Sequence, residues 1–257
     1  MKISIITDIE GVSGSVWGGY GLPLSGELPY YTEMMTAEIA VIIRTLQKEG
    51  VDDIFLYEAH TLQPGILPKN ITIAKHFDLI LDSDAVFFTG THGPANVRKA
   101  VLAHTMNSTM VYQQKLNGLL TGELTLCAAY AGALGIPTVF VAGEKQVEIE
   151  GRQNLPEPVE YVVDEIGYSN HSAICRPFTD LKKELEEKTR AALSHIGKTK
   201  PFDLGKITWK TKFRRDYGRR TERPPFRTYE DDWEVIRADN MIEAWNINYE
   251  ACRTPGH

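Results

Sequence analysis

The 257-residue sequence predicts an α/β fold, with a mostly parallel N-terminal sheet flanked by helices and a smaller α+β C-terminal region. Short apolar runs rich in β-branched residues alternate with longer segments whose apolar residues recur every three or four positions. Polar residues follow the early strands at the point where each apolar run stops. Parallel α/β sheets bind ligands beyond the carboxyl ends of their strands, so the functional site is expected at this edge.

The first part of the sequence carries the pattern of the parallel sheet. Lys2 to Thr7 predicts a buried strand, and Tyr31 to Glu49 predicts a helix with one apolar face, capped by Gly50. Ile54 to Tyr57 and Ala85 to Thr89 predict the next two strands. The three predicted strands end close to Asp-Ile-Glu, Glu-Ala-His and Gly-Thr-His respectively.

A hairpin and a second helix are predicted next. Met110 to Leu116 forms one arm of the hairpin, which turns at Asn117 and Gly118. Glu123 begins the helix, and Pro137 to Val141 predicts a further strand.

The remaining sequence predicts the smaller region. Val159 to Asp164 and Ala173 to Cys175 predict strands, and Thr179 is the predicted N-cap of a helix. Residues 207–251 predict a short strand, a basic stretch and a closing helix. A break near Gly143 to Pro158 marks the predicted domain boundary.

The composition excludes several classes of protein. With 42% hydrophobic and 24% charged residues, the chain is neither disordered nor collagen-like nor a coiled coil. The apolar runs are shorter than the roughly 20 residues of a membrane helix, and the first residues lack a signal-peptide pattern. We therefore expect a cytoplasmic protein without a membrane partner. The three cysteines are too few and too widely spaced for a disulfide framework or a Cys-x-x-Cys site, so any metal must use histidines and carboxylates.

One segment is strongly basic although the net charge of the chain is −6. Between Lys210 and Arg227 lie eight lysines or arginines and only two acidic residues. One interpretation is a solvated hairpin or a contact between subunits. The other is that some of the arginines bind the terminal carboxylate of a peptide, and the sequence leaves both open.

The strand ends carry a set of potential metal ligands. Asp8 and Glu10 lie two residues apart after the first strand, which lets both carboxylates face one ion, although two solvated loop acids would look the same. His60 and His92 follow two other strands, so four such groups meet at one edge. Glu123 joins the set, although the helix dipole alone favours an acid there. These ligands suit two ions about 3.5–4 Å apart, with Asp8 as the predicted bridge.

His104 follows another apolar run and has three possible roles. It could be a further ligand, or it could simply pack in the interior. A sixth protein ligand would crowd out the substrate, however, and a hydrolase also needs a proton carrier or an oxyanion donor. We therefore assign His104 an acid/base or oxyanion role.

Several motifs resemble those of the DppA-type D-aminopeptidases, a family of binuclear zinc metallopeptidases. The opening Asp-Ile-Glu-Gly-Val-Ser-Gly of residues 8–14 resembles the start of that family. Further matching motifs extend the resemblance over most of the chain, namely Glu58-Ala59-His60, Gly90-Thr91-His92, Gly122-Glu123-Leu124, the Val-Ala-Gly strand that ends at Gly143, and Met241-Ile242-Glu243-Ala244.

The resemblance implies a function and an assembly. Asp8, Glu10, His60, His92 and Glu123 would bind two Zn²⁺ ions per chain, and His104 would be the catalytic histidine. A water that bridges the metals would attack the amide bond of a short peptide, with D-residues the expected substrates. The resemblance also implies a homodecamer. With the boundary predicted above, residues 1–150 would form the metal-binding domain, and residues 151–257 would contribute to the substrate chamber and to the contacts between subunits.

The alternative enzyme class is a two-metal exonuclease of the DEDD type, because such enzymes also begin with Asp-x-Glu after a first strand. That class needs later aspartates as ligands, whereas the later candidates here are His60, His92 and Glu123. The negative net charge also gives nucleic acid little general attraction, so no nucleic-acid partner is expected.

Overall fold

The structure is a computed structural model that describes residues 1–16, 28–57, 60, 62–63, 65–74, 82–214 and 228–252, with side chains described as far as residue 248. The strands, in chain order, are β1 (Lys2–Thr7), β2 (Asp53–Tyr57), β3 (Thr72–Ala74), β4 (Ala85–Thr91), β5 (Val111–Leu116), β6 (Leu119–Leu120), β7 (Thr138–Glu144), β8 (Glu160–Ser169), β9 (Ser172–Cys175), β10 (Ile207–Phe213), β11 (Thr228–Glu230) and β12 (Trp233–Ala238). The helices are α1 (Leu28–Lys48), α2 (Glu123–Ala133), α3 (Lys145–Asn154), α4 (Phe178–Leu193) and α5 (Met241–Cys252).

A seven-stranded sheet forms the centre of the molecule. Its strand order is β3-β2-β1-β4-β7-β8-β9, and β9 alone runs antiparallel to its neighbour. In the middle of the sheet, Ile3 pairs with Ile54 on one side and with Ala85 on the other. The predicted α/β fold class is thereby confirmed, and β1, β2 and β4 end side by side at one edge.

A second sheet is antiparallel, with the order β11-β12-β10-β5-β6. The predicted hairpin joins β5 to β6, and both turn residues, Asn117 and Gly118, have positive φ, as a type I′ turn requires. Each sheet contains strands from before and after residue 150, so sheet membership does not follow the division into residues 1–150 and 151–257. That division remains a prediction.

The two faces of the central sheet are covered by separate apolar clusters, because alternate side chains of a strand point to opposite faces. Ile3 and Ile5 pack on the side of α1 and α4, whereas Ile6 packs on the side of α2. Trp209 of the antiparallel sheet belongs to the second cluster, which places that sheet against the helices on this side. Both faces of the central sheet are therefore covered by apolar side chains. The carboxyl ends of its strands remain as the place for a functional site.

One local prediction is wrong. Thr179 does not cap a helix, because α4 begins at Phe178 with Pro177 as its N-cap. The predicted break near Gly143 to Pro158 contains the helix α3, which connects two neighbouring parallel strands, and the domain boundary expected there remains a prediction.

The basic segment is described only in part. Lys210 forms an ion pair with Glu230, and the Lys212 ammonium lies 3.5 Å from an Asp232 carboxylate oxygen. Residues 215–227, which carry most of its arginines, lie outside the described residues. Within the part of the chain that is described, no helix combines the length and hydropathy of a membrane span.

Candidate metal centre

The parallel register of three strands brings the first ligand candidates together. Asp8 directly follows β1, His92 directly follows β4, and His60 lies three residues beyond β2. The loop after β1 is fixed to β4, where the Asp8 amide donates to the Thr89 carbonyl at 2.9 Å. This close approach requires Gly90, since a Cβ there would lie 2.1 Å from the Asp8 carbonyl oxygen.

Asp8 lies between two histidines, with one carboxylate oxygen toward each. Its Oδ1 is 3.1 Å from His60 Nε2, and its Oδ2 is 3.5 Å from His92 Nε2. Glu10 Oε2 lies 3.5 Å from the same His60 nitrogen. A carboxylate placed in this way can contact two ions, one on each oxygen, as a bridging ligand does.

Glu123 closes the other side of the site from the first turn of α2. Its Oε1 lies 3.4 Å from His92 Nε2 and 3.6 Å from His104 Nε2. The same oxygen accepts a hydrogen bond of 2.7 Å from the Met106 amide. The Glu123 side chain is thereby held toward the histidines.

Both interior histidines present Nε2 to the site. His92 Nδ1 lies 3.0 Å from the Gly93 carbonyl oxygen, and His104 Nδ1 lies 2.8 Å from the Leu102 carbonyl oxygen. A carbonyl can only accept, so Nδ1 carries the proton in each ring. Nε2 is then free to bind a metal ion or to accept a proton.

The donor set fits a divalent metal ion. Two groups of three residues could each hold an ion, because the ligand atoms within each group lie within 4.8 Å of one another. The groups are Asp8 with Glu10 and His92, and His92 with His104 and Glu123. His92 Nε2 and Glu10 Oε2 are also buried without a well-formed hydrogen bond to any described residue. Buried polar atoms normally have a partner, and a bound metal ion would be the partner of these two atoms. The second group includes His104, which keeps the alternative of a ligand role open.

Comparison with known proteins places this site in a family. The model of the D-aminopeptidase family matches residues 1–246. The chain belongs to the D-aminopeptidase family. The family and the hydrolase class predicted from the sequence are thereby confirmed, and the exonuclease alternative receives no support.

Two relatives are distantly similar to this chain. A D-aminopeptidase of Bacillus subtilis (strain 168) is 26% identical over 221 residues, which make up 79% of this chain and 77% of that protein. A solved structure, described as the Zn-dependent D-aminopeptidase DppA from Bacillus subtilis, a self-compartmentalizing protease, superposes with a TM-score of 0.84 at 22% identity and with complete coverage of both chains.

Proton affinities in the site reflect the crowding of acids and histidines. Burial and the neighbouring Glu10 raise the pKa of Asp8 to about 7. Burial opposes ionisation of Glu10 as well, but contacts with His60 and Asp8 prevail and hold its pKa well below the usual value. Burial likewise opposes protonation of His60, yet its contacts with Asp8 and Glu10 raise its pKa to about 10.

His104 differs from His60 and His92, the other two histidines of the site. Burial and the positive charge of nearby His92 both lower its pKa. A neutral imidazole with a free Nε2 can accept a proton at neutral pH.

The structure brings all six sequence-predicted site residues together, and it adds two that sequence reasoning missed. Glu144 and Glu150 are buried behind the site and accept hydrogen bonds from the backbone of the loops that carry the predicted ligands. Glu144 could have been found from the sequence, because it lies at the end of a buried parallel strand, as Asp8 does.

Proposed function

We propose that this chain is a zinc-dependent aminopeptidase that releases N-terminal residues, D-amino acids above all, from short peptides. The observation that carries the proposal is the convergence of Asp8, Glu10, His60, His92 and Glu123 on one sheet edge. Family membership supports the reaction class, and the relatives described as D-aminopeptidases support the substrate. The description of DppA as Zn-dependent supports the metal.

The proposed site holds two zinc ions per chain. Carboxylate oxygens and imidazole nitrogens are ligands that zinc accepts, and five of them exceed the needs of one tetrahedral ion. Asp8 is the proposed bridge, because its two oxygens face different histidines. Zinc ions bound there would act as Lewis acids and would lower the pKa of a bound water.

His104 is the proposed proton carrier. Its Nε2 is unprotonated and its ring orientation is fixed by the hydrogen bond to the Leu102 carbonyl. In this role, Nε2 accepts the proton of the attacking water and delivers it to the amine that leaves. The lowered pKa of His104 favours this function, because the ring must be neutral before it can accept.

The proposal includes self-association, up to the homodecamer that the resemblance implies. The structural relative is described as self-compartmentalizing. In this chain, Ile166 and Ile174 pair across the edge hairpin of the central sheet, and Tyr168 lies two residues further along. All three side chains are exposed, which is typical of a contact surface. A cytoplasmic location and a chamber-forming role for residues 151–257 remain predictions.

The proposed function is tested with matched peptides. The zinc-loaded protein is incubated with D-Ala-D-Ala, L-Ala-L-Ala and their N-acetylated forms, and released alanine is measured. We expect turnover of the free-amine D-peptide, its loss on chelation and its recovery on adding zinc. If protein with bound zinc cleaves neither free-amine peptide, or cleaves acetylated and free peptides equally, the aminopeptidase assignment is wrong.

A further inference from the structure

Glu144 is a fully buried carboxylate that the proposed reaction does not use. It is the last residue of β7, the strand next to β4, and β4 ends one residue before His92. Its Oε1 accepts a hydrogen bond of 2.6 Å from the Gly93 amide, and its Oε2 accepts one of 3.0 Å from the Val101 amide. The Glu144 side chain therefore accepts hydrogen bonds from two points of the segment between His92 and His104.

The glycine at position 93 leaves room for the Glu144 carboxylate. A Cβ at position 93 would lie 2.4 Å from Glu144 Oε1, so only glycine permits the hydrogen bond from the residue that follows His92. Burial raises the pKa of Glu144 to about 7, whereas the backbone N–H donors on its two oxygens favour the ionised carboxylate. An amide in its place would turn an N–H₂ group toward one of the two N–H donors.

The segment that Glu144 holds has an unusual backbone. Asn96, Lys99 and Leu102 all have positive φ, at 63°, 63° and 48°, although none of them is glycine. Such conformations are costly and persist only where surrounding contacts enforce them. Leu102 directly follows Val101, and its carbonyl accepts the hydrogen bond that orients the His104 ring.

We propose that Glu144 is a positioning residue that sets the relative placement of His92 and His104. By fixing the amides of Gly93 and Val101, it enforces the strained backbone through Leu102 and so holds the two imidazole rings in contact. The inference rests on the proposed function in one respect, since it takes His92 as a metal ligand and His104 as the proton carrier.

The test compares Glu144→Gln with Glu148→Gln. Both substitutions lie at or on α3, and both replace a hydrogen-bonded carboxyl group with an amide. Glu148 contacts Lys145 and Arg152, and neither belongs to the site. Three quantities are measured: zinc affinity by competition with a chelator, kcat and KM at saturating zinc, and the separation of the His92 and His104 rings in metal-free crystals.

We expect Glu144→Gln to weaken zinc binding about 10- to 100-fold, the usual effect of losing a group that orients a ligand. At saturating zinc, kcat should fall while KM changes little, and the ring separation should exceed that of the wild type. Glu148→Gln should match the wild type in all three. Gly93→Ala should reproduce the losses of Glu144→Gln, because its Cβ would displace the carboxylate, although it would also lie 2.9 Å from the Cβ atoms of Ala100 and Gln146.

Wild-type zinc affinity and ring separation in Glu144→Gln would overturn the proposal, and so would wild-type values in Gly93→Ala. Losses in Glu148→Gln equal to those in Glu144→Gln would also overturn it. The same holds if Glu144→Gln unfolds globally while Gly93→Ala binds zinc with normal affinity. If the wild type itself binds no zinc or cleaves no peptide, the proposed function fails instead. The ring separation in the metal-free crystals still tests the role of Glu144 in that case.

Discussion

The imidazole rings of His92 and His104 stack with their centroids 4.1 Å apart and their planes 13° from parallel. A proton on one ring therefore opposes a proton on the other. Contact with Glu123 and the charge of Asp8 outweigh burial and raise the pKa of His92, whereas the pKa of His104 is lowered. These opposite shifts support the proposed roles, His92 as a metal ligand and His104 as the proton carrier.

The first prediction concerns His104. His104→Ala should lower kcat about 10²- to 10⁴-fold, the usual scale for losing a positioned acid/base group, while both metal ions stay bound. Metal content by mass spectrometry and steady-state kinetics check this. His171→Ala, in the turn between β8 and β9, serves as the control and should retain full activity. Loss of a metal ion from His104→Ala would instead make His104 a ligand.

The second prediction concerns the proposed bridge. Asp8→Ala should lose zinc and abolish turnover without unfolding the protein, because Asp8 contacts His60 and His92 but belongs to neither apolar cluster. Zinc content, kcat and circular dichroism are measured together. The exposed Asp52→Ala variant should behave as the wild type. An Asp8→Ala protein with two bound ions and normal turnover would disprove the assignment.

The third prediction is a pH dependence of stability at Asp164. This carboxyl is fully buried and both of its oxygens lack a hydrogen-bond partner among the described residues. Burial, together with Glu38 and Glu165, raises its pKa well above the usual value. The folded state then holds a proton that the unfolded chain releases near pH 4, so wild-type stability falls as pH rises above that value.

Asp164→Asn removes this dependence, because an amide stays neutral at every pH. The free energy of unfolding of the variant, relative to the wild type, should rise with pH by up to about 1.4 kcal/mol per unit between pH 5 and 8. Urea unfolding at a fixed protein and zinc concentration measures it, with the exposed Asp53→Asn as the control. A stability difference that stays constant over this range would show that Asp164 is ionised in the folded protein.

The fourth prediction is that neither Cys127 nor Cys175, the two cysteines with described side chains, is the nucleophile. Cys127 is buried, which raises the pKa of its thiol well above the usual value. Burial and Glu165 raise the pKa of Cys175 to about 11. Thiols in such surroundings are poor nucleophiles, so iodoacetamide at neutral pH should leave peptide turnover intact. Rapid inactivation that Cys175→Ser prevents would contradict this.

The sequence was sufficient to predict that the proposed ligands meet at one end of the sheet, because the ends of neighbouring parallel strands lie side by side. Asp8, His60 and His92 follow strands that proved to be neighbours, so their position along the chain implied their position in space. The position of His104 is harder to predict, because this residue lies outside any helix or strand. The ring stacking with His92 depends on contacts that local patterns do not contain.

The parts that sequence reasoning missed depend on contacts distant in sequence or on weak local signals. Gly143 suggested a break, whereas its strand continues into Glu144 and then directly into α3. The pairing of Lys115 with Lys210 joins two halves of the antiparallel sheet across a long stretch of sequence, and no local pattern predicts it. Thr179 is a favoured capping residue, but the helix begins one residue earlier.

The central claim is that this sheet edge holds two zinc ions, and the most direct measurement is the zinc content per chain of the purified protein. Metal-free protein is titrated with Zn²⁺, and bound metal is measured after gel filtration, with Asp8→Ala in parallel. We predict two ions per chain for the wild type and fewer than two for Asp8→Ala. One ion or none in the wild type, or an unchanged count in Asp8→Ala, would contradict a binuclear site bridged by Asp8.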